Sequence, residues 1–218
     1  QKKYEESLEW IPYDQLEKIT YIANKDSGTL YKAIWTIGRI KEYNHQKSNW
    51  YREKKFINNS WNYISNNNDD TISEIYADLS SGIIVSLKHR HSSNINDFLN
   101  EVKCHLLSYK SASGCLLPLI GITKDPKTLE YIIVMHYSQG GSLRSNLQKI
   151  CMSSWKVKLR HLAVIIAGLK GIHDLNLIHG DLHSDNIFLS NYDTFQIGDL
   201  GFTKLSKNYS SKNEELYG

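Results

Sequence analysis

Ile178-His179-Gly180-Asp181-Leu182-His183-Ser184-Asp185-Asn186-Ile187-Phe188-Leu189, then a polar turn, then Phe195-Gln196-Ile197-Gly198-Asp199-Leu200-Gly201, forms the most informative segment of the chain. Two short apolar runs, residues 187–189 and 195–197, flank a polar loop as the arms of a β-hairpin do. At their ends sit three groups suited to one chemistry. Asp181 can accept a hydroxyl proton, and Asn186 and Asp199 offer the oxygen ligands that Mg²⁺ prefers. Phosphoryl transfer asks little more of a protein than a positioned nucleophile, metal ions and charge neutralisation. Taken singly, each is an ordinary turn residue. The order and the matching flanks carry the signal.

Composition sets the outer bounds. The chain has 218 residues, enough for one large domain or two small lobes. With 40% hydrophobic residues and a formal charge of +3 it reads as globular, and the charge argues for neither nucleic acid nor an anionic membrane as partner. Cys104, Cys115 and Cys151 are odd in number and lack metal-ligand spacing, so free thiols in a reducing compartment are expected. Neither a signal peptide nor an apolar run of transmembrane length is seen, which predicts a cytosolic or nuclear protein.

His179-Gly180-Asp181 with Asn186, then Asp199-Leu200-Gly201, resembles the catalytic and metal-binding loops of protein kinases, with Gly180 in place of the usual Arg and Leu200 in place of Phe. The resemblance extends over about residues 8–218. It implies an α+β, bilobal kinase-like fold: an antiparallel-sheet upper lobe over residues 1–137 and a hinge with a partial, mainly helical lower lobe over 138–218. The matched segment stops within the activation segment, ahead of an Ala-Pro-Glu motif, so an incomplete lower lobe is expected.

Residues 21–35 read as two strands with a turn at 24–28, where kinases carry Gly-x-Gly-x-x-Gly over the ATP phosphates. Here Ala23 and Lys25 stand at the first two glycines and only Gly28 remains. Leu30 follows, and the resemblance packs it against adenine. Residues 38–75 are Asn-rich with interleaved aromatics and are expected to be a loop insertion; binding of single-stranded nucleic acid there is the less favoured reading. The run Gly82-Ile-Ile-Val-Ser-Leu-Lys88 resembles the third kinase strand, with Ser86 at the alanine position. Lys88 either snorkels to water or pairs with Glu101 from the next helix. In that helix Phe98, Leu99, Val102, Leu106 and Leu107 recur at helical spacing.

Residues 116–122 and 131–136 read as further strands, turning at 125–128. Met135-His136-Tyr137-Ser138 then resembles the hinge, with Met135 as gatekeeper and the backbone of His136 and Ser138 meeting adenine; Ser142 and Phe188 join the nucleotide contacts. Residues 155–174 carry Leu159, Leu162, Ala163, Ile166, Leu169 and Ile172 on one helical face, a core helix despite Gly168 and Gly171.

The resemblance implies transfer of the ATP γ-phosphate to a protein Ser, Thr or Tyr hydroxyl. Asp181, Lys88 and Glu101 are then the catalytic set and Asn186 and Asp199 the Mg²⁺ ligands. His183 stands where Ser/Thr kinases have lysine. Gly180 removes the guanidinium that would read an activation-segment phosphate, so such phosphorylation is expected to matter little. Two alternatives stand: a catalytically impaired pseudokinase or interaction module, favoured by the lost glycines, and a small-molecule phosphotransferase, whose loop also carries His-Gly-Asp.

Overall fold

The computed structural model describes residues 8–44, 49–53, 82–92, 94–112, 114–190 and 193–206. The chain divides into two compact units: Gln1–Asn94 with Pro118–Tyr137 and Asn191–Asp193, and Ile95–Leu117 with Ser138–Ser190 and Thr194–Gly218. The helix after residue 94 therefore groups with the second unit, not with the strands that flank it in sequence.

The first unit is built on a six-stranded sheet. Its strands are β1 (Glu9–Trp10), β2 (Leu16–Lys25), β3 (Gly28–Trp35), β6 (Ile83–His89), β7 (Leu119–Lys124) and β8 (Tyr131–His136), in the order β1-β7-β8-β6-β3-β2. All pairings are antiparallel except the short parallel contact of β1 on β7. Period-2 alternation divides the sheet cleanly. Ala33, Trp35, Ile83, Val85, Leu87, Ile132 and Val134 point into one core with Ile11, Leu16 and Ile120. Each large side chain buried there contributes roughly 1.5–3 kcal/mol of hydrophobic stabilisation before entropy is counted. β2 is the exposed edge, and its ladder with β3 slips between Glu17 and Thr20 and between Tyr21 and Ala23. Such irregularities blunt an edge against pairing with another chain.

Part of the expected 38–75 loop is a β-hairpin. β4 (Arg39–Asn44) pairs antiparallel with β5 (Asn49–Glu53), while 54–81 lies outside the described residues. Arg52 and Glu9 anchor it: the Arg52 guanidinium donates to Glu9 Oε2 at 3.1 Å and to Gly38 O at 2.8 Å, and Glu9 Oε1 accepts from Ile40 N at 2.7 Å. Asn-rich composition hid this ladder, because the anchoring carboxylate sits far away in sequence, ahead of the insertion.

The second unit contains α1 (Ile95–Ser111), α2 (Leu147–Met152) and α3 (Trp155–His173), with strands β9 (Leu177–Ile178), β10 (Ile187–Leu189), β11 (Phe195–Ile197) and β12 (Lys204–Leu205). β10 and β11 form the expected hairpin, with Phe188 opposite Gln196, and β12 pairs with β9. Ser154 caps α3, its hydroxyl accepting from Val157 N. Cys104, Ala112, Leu116, Ile172, Leu177, Ile197 and Leu200 form the core.

The buried faces of both long helices depart from the apolar pattern. On α1, Phe98 and Val102 are buried as expected, but Leu99 and Leu107 are exposed and Glu101, Cys104, His105 and Ser108 are buried instead. The His105 ring holds that face inward by donating to Leu117 O at 2.6 Å. On α3 the buried residues are His161, Gly168, Gly171 and Ile172, while Leu159, Leu162 and Ile166 are exposed. The two glycines weaken the isolated helix for a packing reason. A Cβ on Gly171 would stand 2.3 Å from Ala112 Cβ, and one on Gly168 would stand 3.0 Å from Cys115 O.

Candidate active site

In the first unit, strand register gathers the expected nucleotide residues on the sheet face opposite the core. Ala23 faces Leu30, Leu30 faces Lys88, Lys32 faces Ser86 and Ser86 faces Met135. Leu30, Ser86, Lys88 and Met135 therefore share one face, two residues apart along each strand. Lys88 is only 1% exposed. An ammonium that deep needs an ionic or hydrogen-bonding partner. His136 ends β8, its N–H donating to Pro118 O at 2.9 Å. Burial pushes the His136 imidazole down to a pKa of about 4.

In the second unit, the loop between β9 and β10 and the end of β11 converge. Asn186 is fully buried and is the hub. Its amide nitrogen lies 2.9 Å from each of two acceptors, Asp181 O and Asp181 Oδ2, which its two hydrogens serve, and His183 Nε2 lies at the same distance. The amide oxygen is the side-chain atom of Asn186 whose chemistry suits a divalent cation. The backbone completes the frame. Asn186 O accepts from Gly198 N at 2.9 Å, closing the open end of the β10–β11 hairpin beside Asp199.

His179 ties the same two segments a second time. Its Nε2–H donates to Gly198 O at 3.0 Å, and Nδ1 accepts from Asp181 N at 3.3 Å. The ring is 2% exposed, and burial holds its pKa below the ordinary value despite the opposing Gly198 hydrogen bond and nearby carboxylates. A neutral imidazole that donates on one side and accepts on the other fits this double duty.

Asp199 is 6% exposed and has φ +60°, a left-handed conformation that Asp tolerates better than most side chains. Backbone strain of this kind collects at functional sites. Its Oδ1 accepts from Gly201 N at 3.4 Å. Gly180 also lies in the left-handed region at φ +82°, with Phe202 O directly against it. Thr203 follows, 3% exposed.

The remaining residues of this unit fall beside the same hairpin. The chain from Ser138 runs along β10: Leu189 N donates to Gly141 O at 2.9 Å, Leu143 N to Ile187 O at 2.7 Å, and Ser138 Oγ to Leu189 O at 2.6 Å. Ser142 thereby bridges to Phe188. Ser142 Oγ also donates to Asp185 Oδ1 at 3.4 Å, and Arg144 approaches Asp185 at 3.8 Å. Glu101 is 3% exposed on α1. The contact of the His183 ring with the Asn186 amide was not visible in the sequence. The only hint there was an aromatic nitrogen base three residues before the asparagine.

The donor set fits Mg²⁺. Among the described residues no group of three or more His, Cys, Asp or Glu gathers into a metal site. One carboxylate and one amide oxygen, completed by water and substrate phosphates, is how Mg²⁺ is commonly held.

The description "Protein kinase domain" belongs to the family model that matches residues 77–217. Receptor-interacting serine/threonine-protein kinase 2 of Bos taurus is 33% identical over 166 residues, covering 69% of this chain and 30% of that protein. Serine/threonine-protein kinase chk-1 of Caenorhabditis elegans is 28% identical over 123 residues, covering 55% and 24%. Serine/threonine-protein kinase Nek1 of Mus musculus is 39% identical over 75 residues, covering 34% and 6%. The chain thus spans less than a third of each of these relatives.

Proposed function

The chain belongs to the protein kinase family, and from that premise we propose that it transfers the ATP γ-phosphate to a protein hydroxyl, Ser or Thr in keeping with the names of its relatives. The observation that supports this is the Asn186 hub, whose amide nitrogen holds both Asp181 O and Asp181 Oδ2 and whose backbone oxygen accepts from Gly198 N, the residue before Asp199. In this reading Asp181 orients the acceptor hydroxyl and takes its proton. Asn186 and Asp199 hold Mg²⁺, which supplies charge neutralisation to the phosphates. Lys88 is assigned to the phosphates and Glu101 to Lys88, as the kinase resemblance implies. Leu30, Ser86, Met135, His136, Ser138, Ser142 and Phe188 are assigned to the adenosine side, and Ala23, Lys25 and Gly28 to the turn above the phosphates.

Among the described residues no helix is long and apolar enough to cross a membrane, and Cys104, Cys115 and Cys151 are free thiols. The thiols support placement in the reducing cytoplasm or nucleus.

The test is transfer of labelled phosphate to a generic protein substrate by the protein and by Asp181→Ala. Transfer by the former, with loss of about 100-fold or more in the latter, is expected for a general base and hydroxyl-positioning group. Absence of transfer, with Mg·ATP still bound, would establish the pseudokinase reading, which the lost glycines favour. Transfer to choline or an aminoglycoside but not to protein would establish the small-molecule reading.

A further inference from the structure

The β2–β3 turn stands where the resemblance places phosphate-covering glycines, yet only Gly28 is present. Lys25 faces Gly28 in the ladder, leaving Asp26 and Ser27 as a two-residue tip. Gly28 presses on the main chain at the end of β6. An added Cβ would lie 2.2 Å from His89 O and 3.0 Å from His89 C.

Two residues further on, His91 reaches back to the same turn. Its Nε2 lies 2.9 Å from Asn24 Oδ1 and 3.3 Å from Thr29 Oγ1, and the Thr29 hydroxyl donates to Asn24 Oδ1 at 2.9 Å. Because Asn24 Oδ1 can only accept, His91 Nε2 carries the proton. Asn24 and Thr29 are direct partners across the ladder, so one imidazole spans both arms of the turn. The segment bearing His91 continues directly from β6, the strand that carries Lys88.

We propose that His91 is a positioning residue: through Asn24 and Thr29 it latches the β2–β3 turn to the Lys88 strand and so sets how tightly nucleotide phosphates are held. A glycine-rich turn must be ordered when ligand binds, at a cost in conformational entropy. Here side-chain hydrogen bonds order it beforehand, which compensates for the missing glycines. The inference rests on the kinase reading.

The experiment is calorimetric titration of the whole chain and of His91→Ala, Thr29→Val and His91→Gln with Mg·ATP and separately with adenosine. Loss of one net hydrogen bond predicts a Kd for Mg·ATP raised about three- to tenfold in His91→Ala and Thr29→Val. Adenosine, which has no phosphate, binds all forms alike, and His91→Gln recovers part of the loss because its amide can donate to Asn24. Equal Mg·ATP affinity in all forms, or an equal weakening toward adenosine, overturns the proposal. If the wild-type chain binds neither ligand, the kinase reading fails separately. The latch is then judged by amide exchange over residues 24–29: faster exchange in His91→Ala supports it, and an unchanged rate overturns it.

Discussion

Replacing Gly180 tests how the 179–186 loop is built. The residue lies at φ +82°, and a Cβ there would stand 2.5 Å from Phe202 O, 3.2 Å from Phe202 C and 3.3 Å from Phe202 Cβ. A left-handed backbone costs a non-glycine residue about 1–2 kcal/mol. Relieving the overlap, which involves a carbonyl and not the tip of a flexible side chain, adds about 1–3 kcal/mol. Gly180→Ala should therefore lose about 2–5 kcal/mol in urea unfolding. Gly180→Arg, which restores the residue most kinases carry, should lose about as much as Ala, because the penalty arises at Cβ and the rest of the side chain can extend into water. Both should depress phosphotransfer, since accommodating the Cβ displaces Phe202 and the adjoining Asp199–Gly201 loop. An alanine variant within about 0.5 kcal/mol of the parent would refute the steric argument. An arginine variant that folds normally and becomes responsive to phosphorylation at the activation segment would refute it more completely.

Three further outcomes can be measured. His136 titrates near 4 when folded and near its ordinary value of 6.5 when unfolded, so the unfolded chain binds the extra proton; stability is fully present above about pH 6.5, falls as pH drops through this window and loses on the order of 3 kcal/mol by pH 4. His136→Asn should flatten that part of the unfolding profile, leaving a residual slope from His179, whose pKa is depressed in the same direction. Asn186→Asp turns a donor that satisfies Asp181 O and Asp181 Oδ2 into a buried carboxylate facing them; a loss of about 3–5 kcal/mol in thermal or urea unfolding is expected, and an unchanged midpoint would contradict the hub. Combined alanine replacement of Thr203, Ser206 and Tyr209 should alter phosphotransfer less than about tenfold, in line with the burial of Thr203 and the absence of a guanidinium at position 180; a larger loss in a kinase assay would show that phosphorylation here does matter.

What the sequence revealed and what it hid follow one physical division. The β10–β11 hairpin and its flanking polar loop were legible because short-range turn chemistry and period-2 runs act over a few residues. The strands around Leu30, Lys88 and Met135 were legible for the same reason. Residues 39–53 were not, since the contact that anchors that hairpin comes from Glu9. The apolar periodicity of α3 pointed to Leu159, Leu162 and Ile166 as core, yet the helix buries Gly168 and Gly171 against the segment around Ala112 and Cys115. Periodicity counts greasy side chains, whereas close helix packing is decided by where side chains are small. The proposed site shows the same limit. Asp181, Asn186 and Asp199 stand out by their order in the sequence, but the His183–Asn186 contact and the carbonyl of Phe202 against Gly180 join residues whose proximity no local pattern announces.

The ties that hold the 179–186 loop to the 198–201 loop have a consequence for how the proposed centre forms. The His179–Gly198 hydrogen bond spans 19 positions, and those from Asn186 to Asp181 span 5. Closing loops this short costs little chain entropy, and the cost grows only logarithmically with length. Contacts so local can form early and re-form quickly after transient opening. The centre is thus a nearly self-contained knot of sequence. Substitutions in the distant edge strand or in the 39–53 hairpin should change how often the molecule unfolds more than how the three site residues are arranged when it is folded.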